Sequence, residues 1–156
     1  MHPSNVLAAL VFSAVVFASP SAQALEADGK DIAYEDVIAT PIHMGNVGHT
    51  ILGQPFKYPA GTPSIKAYNI QIPAGQSTDL HRHAVPLFAW VVSGVMEVDY
   101  GSKGKRTITA GTAYIEAINW CHVGKAVGSQ PVTVVGVFLG QVKPDQLAPE
   151  ACAKAD

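Results

Sequence analysis

The sequence predicts an all-β fold, a sandwich or a barrel, and three observations predict it. From Leu25 onward Pro and Gly recur at short intervals, the segments between them are rich in β-branched and aromatic residues, and no stretch reads as a long amphipathic helix. About 70 residues of closely spaced strands present a large apolar face, which a sheet hides only against a second sheet or by closing on itself. A small barrel has an interior wide enough for one ligand.

In chain order, the first element is not a strand. Val6 to Ala18 is apolar apart from Ser13 and stops at Pro20, short of the ~20 residues that a bilayer-crossing helix needs. Ala22, Gln23 and Ala24 form the small-x-small pattern of a signal-peptidase site. Residues 1–24 are therefore expected to be a signal peptide, with the mature chain starting at Leu25 and the protein secreted or periplasmic. An uncleaved anchor is the competing reading, because Met1 to Asn5 holds no Lys or Arg. No second apolar run is long enough to span, so no membrane span is expected after signal removal.

Residues 25–156 are expected to form one domain, with the core barrel at about 65–140. Leu25 to Pro63 is less regular and reads as strands and loops wrapped onto the same core. The expected strands are Ile65 to Ile72, Leu87 to Ser93, Val95 to Tyr100, Arg106 to Thr109, Ala113 to Ala117 and Val132 to Leu139. The last is apolar almost throughout, as for a strand covered on both faces. Gly101 to Lys105 is a glycine-bearing hairpin turn, and Lys103, Lys105 and Arg106 read as a solvated loop.

Composition removes several classes of function. The 156 residues are 48% hydrophobic and 14% charged, which excludes disorder, collagen and coiled coil. Ten Lys and Arg against twelve Asp and Glu leave no broad basic field, so nucleic acid is not expected as a partner. Cys121 and Cys152 read as a bridge in an oxidising compartment, or as a small buried residue and a free thiol near the end of the chain. No Ser/His/Asp arrangement, phosphate loop or paired-carboxylate site is legible.

The histidines carry the chemistry. His81 and His83 flank Arg82, and on a strand positions i and i+2 share a face. Two imidazoles side by side can approach one metal ion while Arg82 points away. His122, at the end of the strand-like stretch after Ala113, is the candidate third ligand. Without further context the three also read as two surface histidines and one buried one. Glu116 could turn inward toward such a site, but reads more simply as a surface residue at a strand end. Asp79 shares the parity of His81, yet fits a turn with Ser77 and Thr78. His43 and His49 read as loop or surface residues. Phe88, Trp90 and Tyr114 are cavity or core aromatics.

One spacing is specific. Gly75, then five residues, His81-Arg82-His83, three residues, Leu87, six residues and Gly94 resembles the first motif of the cupin family: a Gly, His-x-His, a Glu and a Gly. Four of its five marked positions agree. The second motif is fainter: Gly111 and His122 stand at the family spacing, while the family Pro, Gly and Asn positions hold Ala117, Asn119 and Ala126. The resemblance covers roughly residues 65–140 and implies a single cupin barrel, a double-stranded β-helix or jelly roll.

Its departure is Leu87, which stands where the family has its Glu and cannot coordinate. The resemblance then implies a mononuclear site of His81, His83 and His122 for one divalent transition metal. Imidazoles suit Fe(II), Mn, Ni, Cu or Zn, and three ligands with open positions suit catalysis. Three-histidine cupins that this set resembles are thiol or diketone dioxygenases using iron, so Fe(II) is favoured. The implied function is an exported metal-dependent dioxygenase acting on a small organic substrate. A non-catalytic cupin holding a small ligand or metal, and a cupin isomerase or lyase, are the alternatives. Glu116, Asp79 and Tyr114 are the candidate general bases, and family habit suggests a homodimer.

Overall fold

The structure, a computed structural model, describes residues 38–45, 47–141 and 148–153; the expected signal peptide lies outside them. The chain divides into two units, Met1–Ala39 and Thr40–Asp156, and every element below belongs to the second. The described residues form ten strands and one short 3-10 turn, so the all-β expectation holds. The strands are β1 (His43–Met44), β2 (Pro63–Ile72), β3 (His81–Arg82), β4 (Leu87–Ser93), β5 (Val95–Asp99), β6 (Lys105–Thr109), β7 (Thr112–Ile115), β8 (Val123–Val127), β9 (Val132–Gln141) and β10 (Glu150–Ala151). Three sheets result, with orders β1-β7-β4-β9-β2, β6-β5-β8 and β10-β3.

Alternation along the strands builds a main core between the two larger sheets and a smaller cluster of Val85, Leu87 and Phe138. Leu87, Ala89 and Val91 of β4 are buried, as are Val132, Val134 and Phe138 of β9. Met96 and Val98 of β5, and Tyr100 just past its end, pack in the main core with Ala89, Val91, Val132 and Val134. This is the period-2 signature of strands with one covered face. β9 departs from the expectation of cover on both faces. Its second face is only half-buried: β4 and β2 flank its edges, and no strand among the described residues covers Val135, Val137 and Leu139.

The segment ahead of β2 packs as expected where it is described. β1 pairs in parallel with β7, and the buried Thr50 closes a turn with Gln54. Ile51 N–H donates to the Ile115 carbonyl at 2.7 Å, and Gln54 exchanges hydrogen bonds with the Ile118 backbone.

Two strand expectations need correction. β7 stops at Ile115 instead of Ala117, because the Ala117 N–H is taken by the Glu116 carboxylate instead of a strand partner. β8 was not expected at all. Its sequence, VGKAV, is poor in strong strand formers, and it exists because β5 supplies a full antiparallel ladder from Val95 to Asp99.

Gly94 makes the turn from β4 to β5 possible. Its φ is +79°, and an added Cβ would lie 2.5 Å from the Pro131 carbonyl oxygen. Gly101 also has positive φ, but nothing stands within 4 Å of its Cβ position. Gly94→Ala therefore adds a backbone clash to the conformational strain that both positions share. It should cost about 3 kcal/mol in urea unfolding, against about 1 kcal/mol for Gly101→Ala. Equal costs would show that the close approach to Pro131 is not limiting.

Candidate metal site

Backbone pairing sets the site. His81 N–H donates to the His122 carbonyl at 3.1 Å, and His122 N–H donates back to the His81 carbonyl at 2.8 Å. Residues paired this way across antiparallel strands project side chains on the same face as near neighbours. His83, two residues on, is pinned by Asn119 N–H donating to its carbonyl at 2.7 Å. The three expected ligands therefore meet, with ring centroids 4.5 to 5.1 Å apart. One nitrogen of each lies within 4.8 Å of the others. Arg82 points outward, where it forms an exposed ion pair with Glu150 at 2.9 Å.

The imidazole hydrogen bonds assign the free nitrogens. His81 Nδ1 lies 2.7 Å from the Asp79 carbonyl oxygen, and His122 Nδ1 lies 2.8 Å from that of Trp120. A carbonyl only accepts, so each Nδ1 carries the proton and each Nε2 is left as a lone pair in the neutral ring. His83 is buried, and its Nδ1 has no hydrogen-bond partner. Burial, then the adjacent His81 and His122 rings, holds the His83 pKa down at about 3. Burial lowers that of His81 as well, against the pull of the Asp79 carbonyl. Three imidazoles with converging nitrogens, one of them buried with an orphaned Nδ1, form a donor set that fits a transition metal.

The surroundings correct several expectations. Glu116 is not a surface residue: it is 4% exposed, and its Oε2 lies 3.6 Å from His122 Nε2. Tyr100 donates to Glu116 Oε1 at 2.7 Å, and the Tyr114 hydroxyl lies 3.4 Å from Oε2. Burial and the carboxylate together push both phenol pKa values up, so both remain hydrogen-bond donors. Tyr100 was not singled out from the sequence, although it continues the inward parity of Met96 and Val98. Asp79 is exposed and acts through its carbonyl, as a turn residue would. Phe88 and Trp90 lie on the half-buried face of β4 away from the cavity, whereas Tyr114 lines it. His43 and His49 are exposed, as expected.

The histidines open onto a cavity of about 510 Å³ between the sheets, within the usual range for small-molecule sites. Its walls include Ile70, Leu87, Ala89, Val134 and Phe138. Leu87, in place of a carboxylate, is part of that apolar wall. Pro149 and Ala151 also line it, because β10 pairs with β3 and sets Ala151 opposite His81. A disulfide joins Cys121 to Cys152 and resolves the two readings of the cysteines. It ties the tail to the residue beside His122.

No protein-family model matches the sequence, and no curated protein matches it. Among solved structures, a cupin-like protein from Thermotoga maritima MSB8 aligns with TM-score 0.50 and 19% identity over 58% of this chain and 65% of that one. A DMSP lyase from Ruegeria pomeroyi DSS-3 aligns at 0.48 and 19% identity over 69% of this chain and 48% of its own. A cupin domain from Bordetella pertussis Tohama I aligns at 0.43 and 19% identity over 54% of this chain and 97% of its own. The chain spans about half the length of the DMSP lyase. The first likeness shows a shared fold.

Two expectations follow from the site. An unfolded histidine titrates near 6.5, so between that pH and 3 the unfolded chain binds a proton that folded His83 refuses. The stability from keeping His83 neutral is complete above pH 6.5 and is lost as pH falls. Metal-free protein should lose about 2 kcal/mol between pH 6.5 and 5 in urea unfolding, at ~1.4 kcal/mol per pH unit. His83→Gln should flatten that slope; an unchanged slope would reject the burial argument. Separately, Cys152→Ser opens a loop with a sequence separation of 31 and should lower stability by about 3 to 4 kcal/mol.

Proposed function

We propose that this chain, which has the cupin fold, is an exported mononuclear metal protein that oxidises a small, largely apolar organic molecule with O2. The observation that carries the reading is the convergence of His81, His83 and His122 on one apolar cavity. His81, His83 and His122 would hold one divalent ion, with Fe(II) favoured over Mn, Ni, Cu or Zn by the three-histidine resemblance. When bound, such an ion supplies an electron-transfer centre and open positions for small ligands, which no side chain of the cavity can supply.

The chain's own residues do the rest. Leu87, Ala89, Val134 and Phe138 exclude water and select an apolar substrate body. The Asp79 and Trp120 carbonyls hold the His81 and His122 rings in one tautomer, as outer partners of ligating histidines commonly do. Export is supported by the small-x-small pattern ending at Ala24 and by the Cys121–Cys152 bridge.

The test is metal content and turnover of the 25–156 protein, purified without oxygen. Wild type should carry about one equivalent of metal, and His81→Ala/His83→Ala should carry none. Loss of His122 alone should weaken binding by more than the ~10–100-fold typical of an outer-shell change. Oxygen uptake should appear with some member of a panel of small thiols and diketones. Metal content unchanged in His122→Ala would reject the site. Tight ligand binding with no oxygen uptake across the panel would replace the enzyme reading with a binding protein.

A further inference from the structure

The Cys121–Cys152 bridge sits between two hollows of the molecule. On one side is the histidine cavity, where Pro149 and Ala151 form part of the wall. On the other is a second groove of about 690 Å³ that Cys121 itself lines, together with Leu80, Asn119, Trp120 and Val123. The Trp120 ring is fixed beside the cysteine, since its Nε1–H donates to the Tyr100 carbonyl at 2.9 Å. Both cysteines are half-buried, so the bridge lies within reach of a reagent that enters the groove.

Among the described residues, little besides this bridge holds the strap from Pro149 to Cys152. Its ladder with β3 is two residues long, Glu150 with Arg82 and Ala151 with His81. One more backbone hydrogen bond runs from the Cys152 N–H to the Leu80 carbonyl at 3.1 Å. The Arg82–Glu150 ion pair is exposed, where water and salt weaken it. Pro149 and Ala151 are themselves exposed, and neither belongs to a core cluster. A two-stranded pairing of this size is marginal in water on its own. The bridge keeps the strap at β3 by holding its local concentration high, as a short tether does for any two groups it joins.

We propose that Cys121–Cys152 is a redox latch: thiol–disulfide exchange with a dithiol entering the second groove frees the strap and opens the histidine cavity on the side of Pro149 and Ala151. A thiolate of the dithiol attacks the Cys121 sulfur and breaks its bond to Cys152. A mixed disulfide forms at Cys121, and Cys152 leaves as a thiolate that takes up a proton. The second thiol of the reductant then displaces Cys121, so the bridge gains two electrons and two protons and the dithiol departs as a disulfide. Closing runs the exchange in reverse with a disulfide oxidant. The latch acts on access alone and does not depend on which occupant the cavity takes.

The test reads access in metal-free 25–156 protein with diethyl pyrocarbonate, which acylates imidazole, followed by mass spectrometry of the labelled peptides. His43 and His49 are exposed and serve as internal controls. Dithiothreitol should cut the bridge without denaturant, and iodoacetamide then keeps the strap from reclosing. Labelling of His81 and His83 should become faster by on the order of tenfold, as for a local opening, with His43 and His49 unchanged and circular dichroism still native. Equal labelling before and after reduction would overturn the proposal, and so would a bridge that dithiothreitol cuts only in denaturant. Loss of native circular dichroism on reduction would reject it too, because the bridge would then hold the fold instead of the strap.

That comparison needs no variant to fold. Cys121→Ser/Cys152→Ser should label like the reduced protein with no reductant present; labelling like the oxidised protein rejects the latch. Val123→Trp narrows the groove beside Cys121 and should slow reduction by dithiothreitol several-fold. An unchanged reduction rate rejects the groove as the way in.

Discussion

The reciprocal pair of backbone hydrogen bonds between His81 and His122 is the constraint on which the rest of the site depends. It is a rung of sheet between two segments that are otherwise barely strand, a two-residue β3 and the single bridge residue just ahead of β8. Because main-chain atoms make it, side-chain substitution does not easily undo it. It places two imidazoles side by side, and period 2 then brings His83 to the same wall. Asp79 and Trp120, each two residues before the histidine it supports, orient the rings with carbonyls that the local turn already presents.

Apolar walls and neutral histidines are two aspects of one condition. Packing Leu87, Ala89, Val134 and Phe138 around the cavity removes the water that would otherwise solvate an imidazolium, and this is why His83 resists protonation. The same burial raises the cost of every polar group left inside. Tyr100, Tyr114 and Glu116 meet that cost collectively, as a hydrogen-bonded set in which each phenol keeps its proton.

What could be read from the sequence was what obeys period 2 or sits at a marked spacing. The His81 and His83 pair and the glycine at 94 belong to that class, whereas Phe88 and Trp90 lie on the face of β4 away from the cavity and β9 is covered on one face only. His122 was found by its place at the end of the strand-like stretch after Ala113, and its distance from Gly111 then agreed with the family spacing. Glu116 was misjudged because it lies where a ladder ends. Tyr114 to Glu116 preserves parity only if the chain stays extended past Ile115, and the next N–H turns onto the carboxylate itself. β8 was missed because its partner creates it, and the Cys121–Cys152 bridge stayed open because sequence separation carries no distance between Cβ atoms.

The placement of β10 also bears on the order in which the molecule is made. A chain grows from its N-terminus, so His81, His83 and His122 all emerge before Glu150 and Ala151 exist. The ladder that brings the histidines together needs nothing from those later residues, whereas the wall contributed by Pro149 and Ala151 does. Until those residues are in place, a cluster held by that ladder has no wall on that side. The Cys121–Cys152 bridge fastens that late strand beside His81. Access to the histidines from that side is thus tied to the last strand of the chain and to the one covalent link that holds it.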